Sequence, residues 1–231
     1  MRLSVKSFTV VASVTAAVAM GMLFPSTSVR ANDDDRSRDE QQMIRIGLAV
    51  APVPLTMSKE DRDLVGLGSY IVNVTGDCNG CHSSGPAKEF VVPQGNPYFR
   101  QPPYSGTTQV NPATYLGGGR DFGPFPGPTS PLHIVSRNLT PDKTGQAEGH
   151  TLAEFIQIMR TGVDMDNAHP NCTGAPTANC MPAPFDGSKL QVMRWPAFRH
   201  MTDHDLKAIY KYLSAVPCLE GGPGEPFPRC Q

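Results

Sequence analysis

Two cysteines three residues apart, with a histidine directly after the second, constrain this chain more than any other feature: Cys78-Asn79-Gly80-Cys81-His82. Three chemistries use such a cluster. A redox-active dithiol uses the thiols alone, half of a zinc site uses thiols and imidazole together, and a covalent haem uses the thiols for attachment and the imidazole for the iron. A redox dithiol opens a helix beside a strand, where the thiolate is stabilised. Here the motif follows a helical pattern and no βαβ pattern surrounds it. A zinc site needs two more ligands at short spacing, and Cys172 and Cys180 stand too far apart for a usual zinc pair. Haem attachment accounts for the spacing. Each thiol adds across one vinyl group, the two-residue gap sets both sulfurs near one porphyrin edge, and the next imidazole points at the iron. The motif occurs once, so one haem c is expected, with Cys78 and Cys81 as attachment points and His82 as proximal ligand.

The remaining sequence is short of ordinary core. Pro 23 and Gly 22 among 231 residues, with hydrophobic residues at 39%, imply many turns and extended loops. From Pro86 to Pro141 no helical stripe occurs, and one or two short extended pieces are expected. A loop that long suits a chain wrapped around a large rigid group. Three helices are predicted. The first starts at Ser58, with Asp61 at capping-box spacing, carries Leu64, Leu67, Gly68, Ile71 and Val72 on one stripe, and ends near Thr75–Gly76. The second starts at Thr151 with Glu154 and ends before Gly162. The third starts at Thr202 with Asp205 and is stopped by Pro217. Three short helices bury too little by themselves, so something else fills the centre.

The amino terminus reads as an export signal: Arg2 and Lys6, an apolar run from Phe8 to Phe24, then Val29 and Ala31 where a signal peptidase reads, with cleavage after Ala31. An uncleaved anchor is the alternative, the run of about 17 residues being at the short limit for a membrane span. Residues 1–31 hold Arg2, Lys6 and Arg30 and no acid, so their removal takes the net charge from −1 to about −4. No basic stripe suggests nucleic acid. Residues 32–57 are expected to be an extended linker: 32–42 charged and solvated, 43–55 apolar but broken by Pro52 and Pro54. A haem domain over 58–217 and a stapled tail over 218–231 complete the division. In an oxidising compartment the other four cysteines favour disulfides, and two short loops suggest pairing Cys172 with Cys180 and Cys218 with Cys230.

The second axial position of the iron takes Met or His in most such proteins. Met159 lies on a helix stripe and reads as core; Met181, Met193 and Met201 remain near turns or caps. His133, His150, His169, His200 and His204 show no site-like spacing. At this point the chain resembles the class I cytochromes c, most closely the exported monohaem domains found beside periplasmic dehydrogenases. The segments that carry the likeness are GLGSYIVNVTGDCNGCH, YLGGGRDFGP, SRNLTPDKTG, TLAEFIQIMRTG and VMRWPAFRHMTDHDLKAIYKYLSAVP, spanning about residues 62–217. The resemblance implies an all-α fold of few short helices wrapped around one covalent haem, with long Pro/Gly-rich loops. It implies that the first and last helices cross, with Gly68 facing aromatics such as Tyr210. The family's distal methionine lies in a Met-Pro-x-x-x-Tyr/Phe stretch before the final helix, which makes Met193 the expected ligand and Met181 the runner-up. Arg194 stands where proline is usual, so the stiffening a proline gives that loop is missing. Trp195, Arg137 and Asn138 are the expected haem-propionate partners.

An iron held by His82 and Met193 has no open position, and the expected role is that of an electron carrier or electron-transfer subunit rather than a catalyst. Expected partners are a periplasmic dehydrogenase on one side and a terminal oxidase or another cytochrome on the other, met in small, short-lived encounters. The alternative is a haem enzyme or sensor with a labile distal ligand, reducing peroxide or binding a small gas.

Overall fold

The computed structural model describes residues 28–91, 109–125, 127–129, 133–165, 187–221 and 228–231. Its elements in chain order are α1 (Ser28–Val50), α2 (Arg62–Tyr70), a π-helical turn (Ile71–Thr75), α3 (Cys78–His82), β1 (Asp121–Pro124), β2 (His133–Val135), α4 (Leu152–Thr161), α5 (Trp195–Phe198) and α6 (Asp203–Ala215). The fold is mainly helical but not purely so. β1 and β2 pair antiparallel, Asp121 opposite Val135 and Pro124 opposite His133, with a bulge between because four residues face three.

The segment expected to be an extended linker over 32–57 is instead helical as far as Val50. Charge along a segment does not prevent a helix when Arg, Glu, Gln, Met, Ile and Leu supply the propensity and one end is docked. Ile44 is buried against Leu67 and Ala208, with Met43, Leu48 and Leu64 beside them. Beyond Val50 the two prolines do force an irregular path, and it lies on the domain: Val53 is in the core and the Thr56 amide donates to the Ala215 carbonyl at 2.8 Å. Residues 1–27 of the expected signal segment lie outside the described residues; residues 28–31 open α1.

α2 is pressed between α1 and α6, and glycine makes both contacts possible. A Cβ on Gly47 would lie 1.9 Å from the Gly66 carbonyl oxygen, and one on Gly68 would lie 1.9 Å from the Ala208 carbonyl oxygen. The helices therefore meet backbone to backbone, and Val65 to Ser69 are all buried. Gly68 faces Ala208 and Tyr212, not Tyr210 as the resemblance implied. Ala208 and Tyr212 are one turn apart on the same face, whereas Tyr210 points to α4, where its ring packs on Phe155 at 5.6 Å between centroids. The helix also starts later than expected. Ser58 Oγ does accept the Asp61 amide at 3.1 Å, but this closes a turn before Arg62 begins α2. At its other end the π turn is closed by the Gly76 amide on the Ile71 carbonyl, five residues back, at 2.7 Å.

The later helices follow their local signals. Thr151 and Glu154 form a reciprocal capping box, and Gly162 ends α4 in the left-handed region at φ 70°. Thr202 Oγ1 accepts the Asp205 amide at 3.0 Å, and α6 ends at Ala215, two residues before Pro217. The core gathers Val65 and Val72, Tyr115, Leu116 and Leu139, Phe155 and Met159, and Leu206, Ile209, Tyr212 and Leu213. Cys218 and Cys230 are joined, with Cα atoms 5.8 Å apart. The other expected pair, Cys172 and Cys180, lies outside the described residues, as do Met181 and His169.

The glycine crossing has a measurable consequence. Gly68→Ala is expected to force α2 from α6 and cost roughly 1–3 kcal/mol of stability. Gly127→Ala, whose Cβ would meet nothing within 4 Å, should stay within about 0.5 kcal/mol. Equilibrium denaturation of both variants beside the unsubstituted protein checks the contrast.

Candidate functional site

α3 is a single turn, and its placement follows from the residues before it. Asp77 takes φ 45°, which turns the chain sharply after the π turn and starts Cys78–His82 in a new direction. The turn is then gripped through its backbone and through Asn79. Asn79 Oδ1 accepts the Leu116 amide at 2.9 Å, the Arg120 guanidinium donates to the Gly80 carbonyl, and the Gly118 amide donates to the His82 carbonyl at 2.7 Å. Gly118, at φ +69°, admits no side chain: a Cβ there would lie 2.4 Å from the Arg137 carbonyl carbon. The Gly117-Gly118-Gly119 run thus lets segment 116–119 lie between α3 and segment 136–139.

That close approach brings the Arg137 carbonyl to His82. His82 Nδ1 lies 2.8 Å from this oxygen. A carbonyl can only accept, so Nδ1 carries the proton and Nε2 keeps its lone pair. Burial holds the ring's pKa below the ordinary histidine range, which keeps the imidazole neutral at pH 7. Burial, with the Asp77 carboxylate nearby, pushes the Cys78 thiol up to about 12, the opposite of an activated dithiol. Cys78 and Cys81 are both free thiols, Cys81 exposed. Among the described residues no three His, Cys, Asp or Glu converge as a metal cluster, so Cys78, Cys81 and His82 do not share one point as zinc ligands would.

The expected partners of the haem are found in two places. Arg137 offers its carbonyl to His82, while its guanidinium pairs with Asp164. Asn138 is buried, its Oδ1 accepting the Thr140 amide at 2.9 Å and hydroxyl at 2.6 Å, its Nδ2 donating to the Leu219 carbonyl at 3.0 Å. Met193 is half-buried and flanks the core cluster together with Cys78, Ile156, Phe198 and Met201. Trp195 has one N–H, and it donates to the Leu190 carbonyl at 3.2 Å.

The loop that carries Met193 is held without the usual proline. Val163 and Lys189 form an antiparallel bridge, the Leu190 amide donates to the Gly162 carbonyl at 2.7 Å, and the Trp195 ring lies on Gly162. Arg160 donates to the carbonyls of Arg199 and Met201 and pairs with Asp203 at 2.6 Å, fixing the approach to α6. Pro196, the second residue of α5, supplies a fixed φ. The structure adds one buried polar group that the sequence did not flag. Tyr115 and Tyr212 hydroxyls are 2.7 Å apart, and Asn73 of the π turn bonds both, reaching Tyr212 at 3.1 Å. Burial raises both phenol pKa values, so they stay protonated and the network stays intact.

These features fit a covalently attached haem: two thiols free to form thioethers, and an imidazole with Nε2 open and its tautomer set. Comparison with known proteins points the same way. The chain is 24% identical over 163 residues to the fructose dehydrogenase cytochrome subunit of Gluconobacter japonicus, covering 70% of this chain and 23% of that one. It is 27% identical over 168 residues to the cytochrome c subunits of alcohol dehydrogenase (quinone) from Gluconacetobacter polyoxogenes and Komagataeibacter europaeus, covering 72% of this chain and 24% of each. The chain thus spans about a quarter of the length of these relatives. No family model and no solved structure matches it.

The Trp195 seat can be tested with one substitution. A Cβ on Gly162 would fall 2.2 Å from the indole, at a φ of +70°. Gly162→Ala is expected to unseat the ring. In the haem-free protein, emission from Trp195, the sole tryptophan, should shift to the red and become more accessible to acrylamide. Unchanged emission would show that the loop does not depend on this contact.

Proposed function

We propose that this chain is a monohaem c-type cytochrome unit that carries single electrons between a dehydrogenase and a downstream acceptor, a terminal oxidase or another cytochrome. Cys78 and Cys81 would hold the haem through thioethers, with His82 as one axial ligand and Met193 as the other. When bound, the haem supplies a one-electron Fe(III)/Fe(II) couple. The observation that carries the proposal is the bond from His82 Nδ1 to the Arg137 carbonyl. It sets the tautomer and the ring orientation that an axial ligand needs, and it raises the basicity of Nε2. Arg137, Asn138 and Trp195 border the haem in this proposal, and each is already held by a protein partner: Asp164, Leu219 and Leu190 respectively. The relatives are named as cytochrome subunits of fructose and alcohol dehydrogenases, which supports a dehydrogenase as electron donor. Among the described residues no helix is long and apolar enough to cross a membrane. The apolar run 8–24 supports export to the periplasm, where haem c is attached and such dehydrogenases deliver electrons.

Expression in a host that matures c-type cytochromes tests attachment. The pyridine haemochrome spectrum should give one haem per chain, and the pigment should stay with the protein in acidified acetone. A colourless product would falsify the proposal. Met193→Ala should abolish the charge-transfer band at the red edge of the oxidised spectrum and speed cyanide uptake by at least about tenfold, the site then being open. Met201→Ala should leave both unchanged. Loss of the band in Met181→Ala instead would move the distal ligand to Met181. Fast ligand uptake by the unsubstituted protein would favour an enzyme or sensor.

A further inference from the structure

Electron transfer through a haem held at α3 gives no role to the stapled carboxy-terminal segment, yet that segment is bound to the site with unusual thoroughness. The Leu219 amide donates to Thr140 Oγ1 at 3.0 Å, and the Leu219 carbonyl accepts Asn138 Nδ2 at 3.0 Å. The Thr140 hydroxyl donates a hydrogen bond to Asn138 Oδ1 at 2.6 Å. Arg229, 6% exposed, donates its guanidinium to the Thr140 carbonyl at 2.8 Å, and its carbonyl accepts the Lys143 amide at 3.0 Å. Glu220 closes the segment on itself, its carboxylate accepting the Arg229 amide at 2.8 Å and the Cys230 amide at 3.3 Å. Asn138 and Thr140 are each 1% exposed. They belong to segment 137–140, and the Arg137 carbonyl is the partner of His82.

We infer that the Cys218–Cys230 segment is a positioning element for His82: it holds segment 137–140 so that the Arg137 carbonyl stays within reach of Nδ1. The inference rests on the reading of His82 as an iron ligand. Among the described residues of the stapled segment, 218–221 and 228–230, there is no helix or strand, and the disulfide, with a sequence separation of 12, keeps Leu219 and Arg229 together on segment 137–140. Leu219 also touches the far side of the glycine loop, where a Cβ on Gly117 would lie 3.1 Å from Leu219 Cδ1. Both clamps on His82, through Gly118 and through Arg137, thus lean on the same residue. A hydrogen bond from a ligating imidazole to a carbonyl increases the electron density the ring gives the metal, which favours the oxidised state. Loosening segment 137–140 should weaken that bond and raise the reduction potential.

The test uses the haem-loaded protein. Pyridine haemochrome comes first: if the unsubstituted chain carries no covalent haem, the proposed function fails and the potential is not at issue. With haem attached, C218S/C230S and Thr140→Val are expected to show a higher reduction potential and faster solvent exchange of the His82 Nδ1 proton, by about tenfold or more. Thr140→Ser, which keeps the hydroxyl, should retain the original values. Ile44→Ala, at the buried α1–α2 contact far along the chain from segment 137–140, serves as the stability control: it should lower the melting temperature without moving the potential. If C218S/C230S does not accumulate, Glu220→Gln loosens the segment with the disulfide intact and, with Thr140→Val, decides the matter. Haem-loaded staple variants with an unchanged potential and unchanged proton exchange would overturn the inference, as would an equal change in Ile44→Ala.

Discussion

One hydrogen bond joins the two halves of the site: His82 Nδ1 to the Arg137 carbonyl, 55 residues away in sequence. Neither end could hold it alone. α3 is one turn long, too short to be stable in isolation, and segment 137–140 lies in a region with little regular structure. The α3 end is held by Leu116, Gly118 and Arg120, which bond Asn79, His82 and Gly80. The Arg137 end is held by Asn138, Thr140 and the stapled tail. The side chains of Asn79, Arg120, Asn138 and Thr140 enter five of these six contacts, most of them meeting a backbone group, so the site's geometry depends on both chain path and side-chain identity.

The same economy governs the helices. A chain with this much proline and glycine has limited apolar area to bury, and it compensates by approach rather than by bulk. At Gly47–Gly66 and Gly68–Ala208 the helix backbones touch, which increases dispersion contact per residue without large side chains. Gly162 works in the same way for the loop carrying Met193, by receiving the flat face of Trp195. The buried Tyr115–Asn73–Tyr212 group is mutually hydrogen-bonded and ties α6 to the π turn and to the loop before the glycines.

Much of the site was legible as residue types and little of it as partners. The Cys-x-x-Cys-His run raised the expectation of haem attachment because its spacing suits a porphyrin edge. Thr151 with Glu154, and Thr202 with Asp205, announced their helices because a cap is a contact over three residues. The Cys218–Cys230 pair was readable because its loop is short. Arg137 was expected through its guanidinium; its carbonyl turned out to matter, and every residue but its neighbours' geometry would offer the same atom. Leu116-Gly117-Gly118-Gly119 carried a usable signal, three glycines in a row, that pointed to close backbone approach without saying what approached.

The sequence alone determined the local starts and stops of α4 and α6, because those depend on residues within a turn or two of one another. Tertiary structure alone decided that residues 28–50 are a helix, that Gly68 meets Ala208 and Tyr212 rather than Tyr210, and that the tail reaches segment 137–140. The reason is physical. Each of those outcomes rests on groups meeting across long stretches of chain, with a backbone atom on at least one side at Gly68–Ala208 and at Asn138–Leu219, and a backbone atom is the same at every position, so the side-chain pattern does not by itself name the pair that will meet.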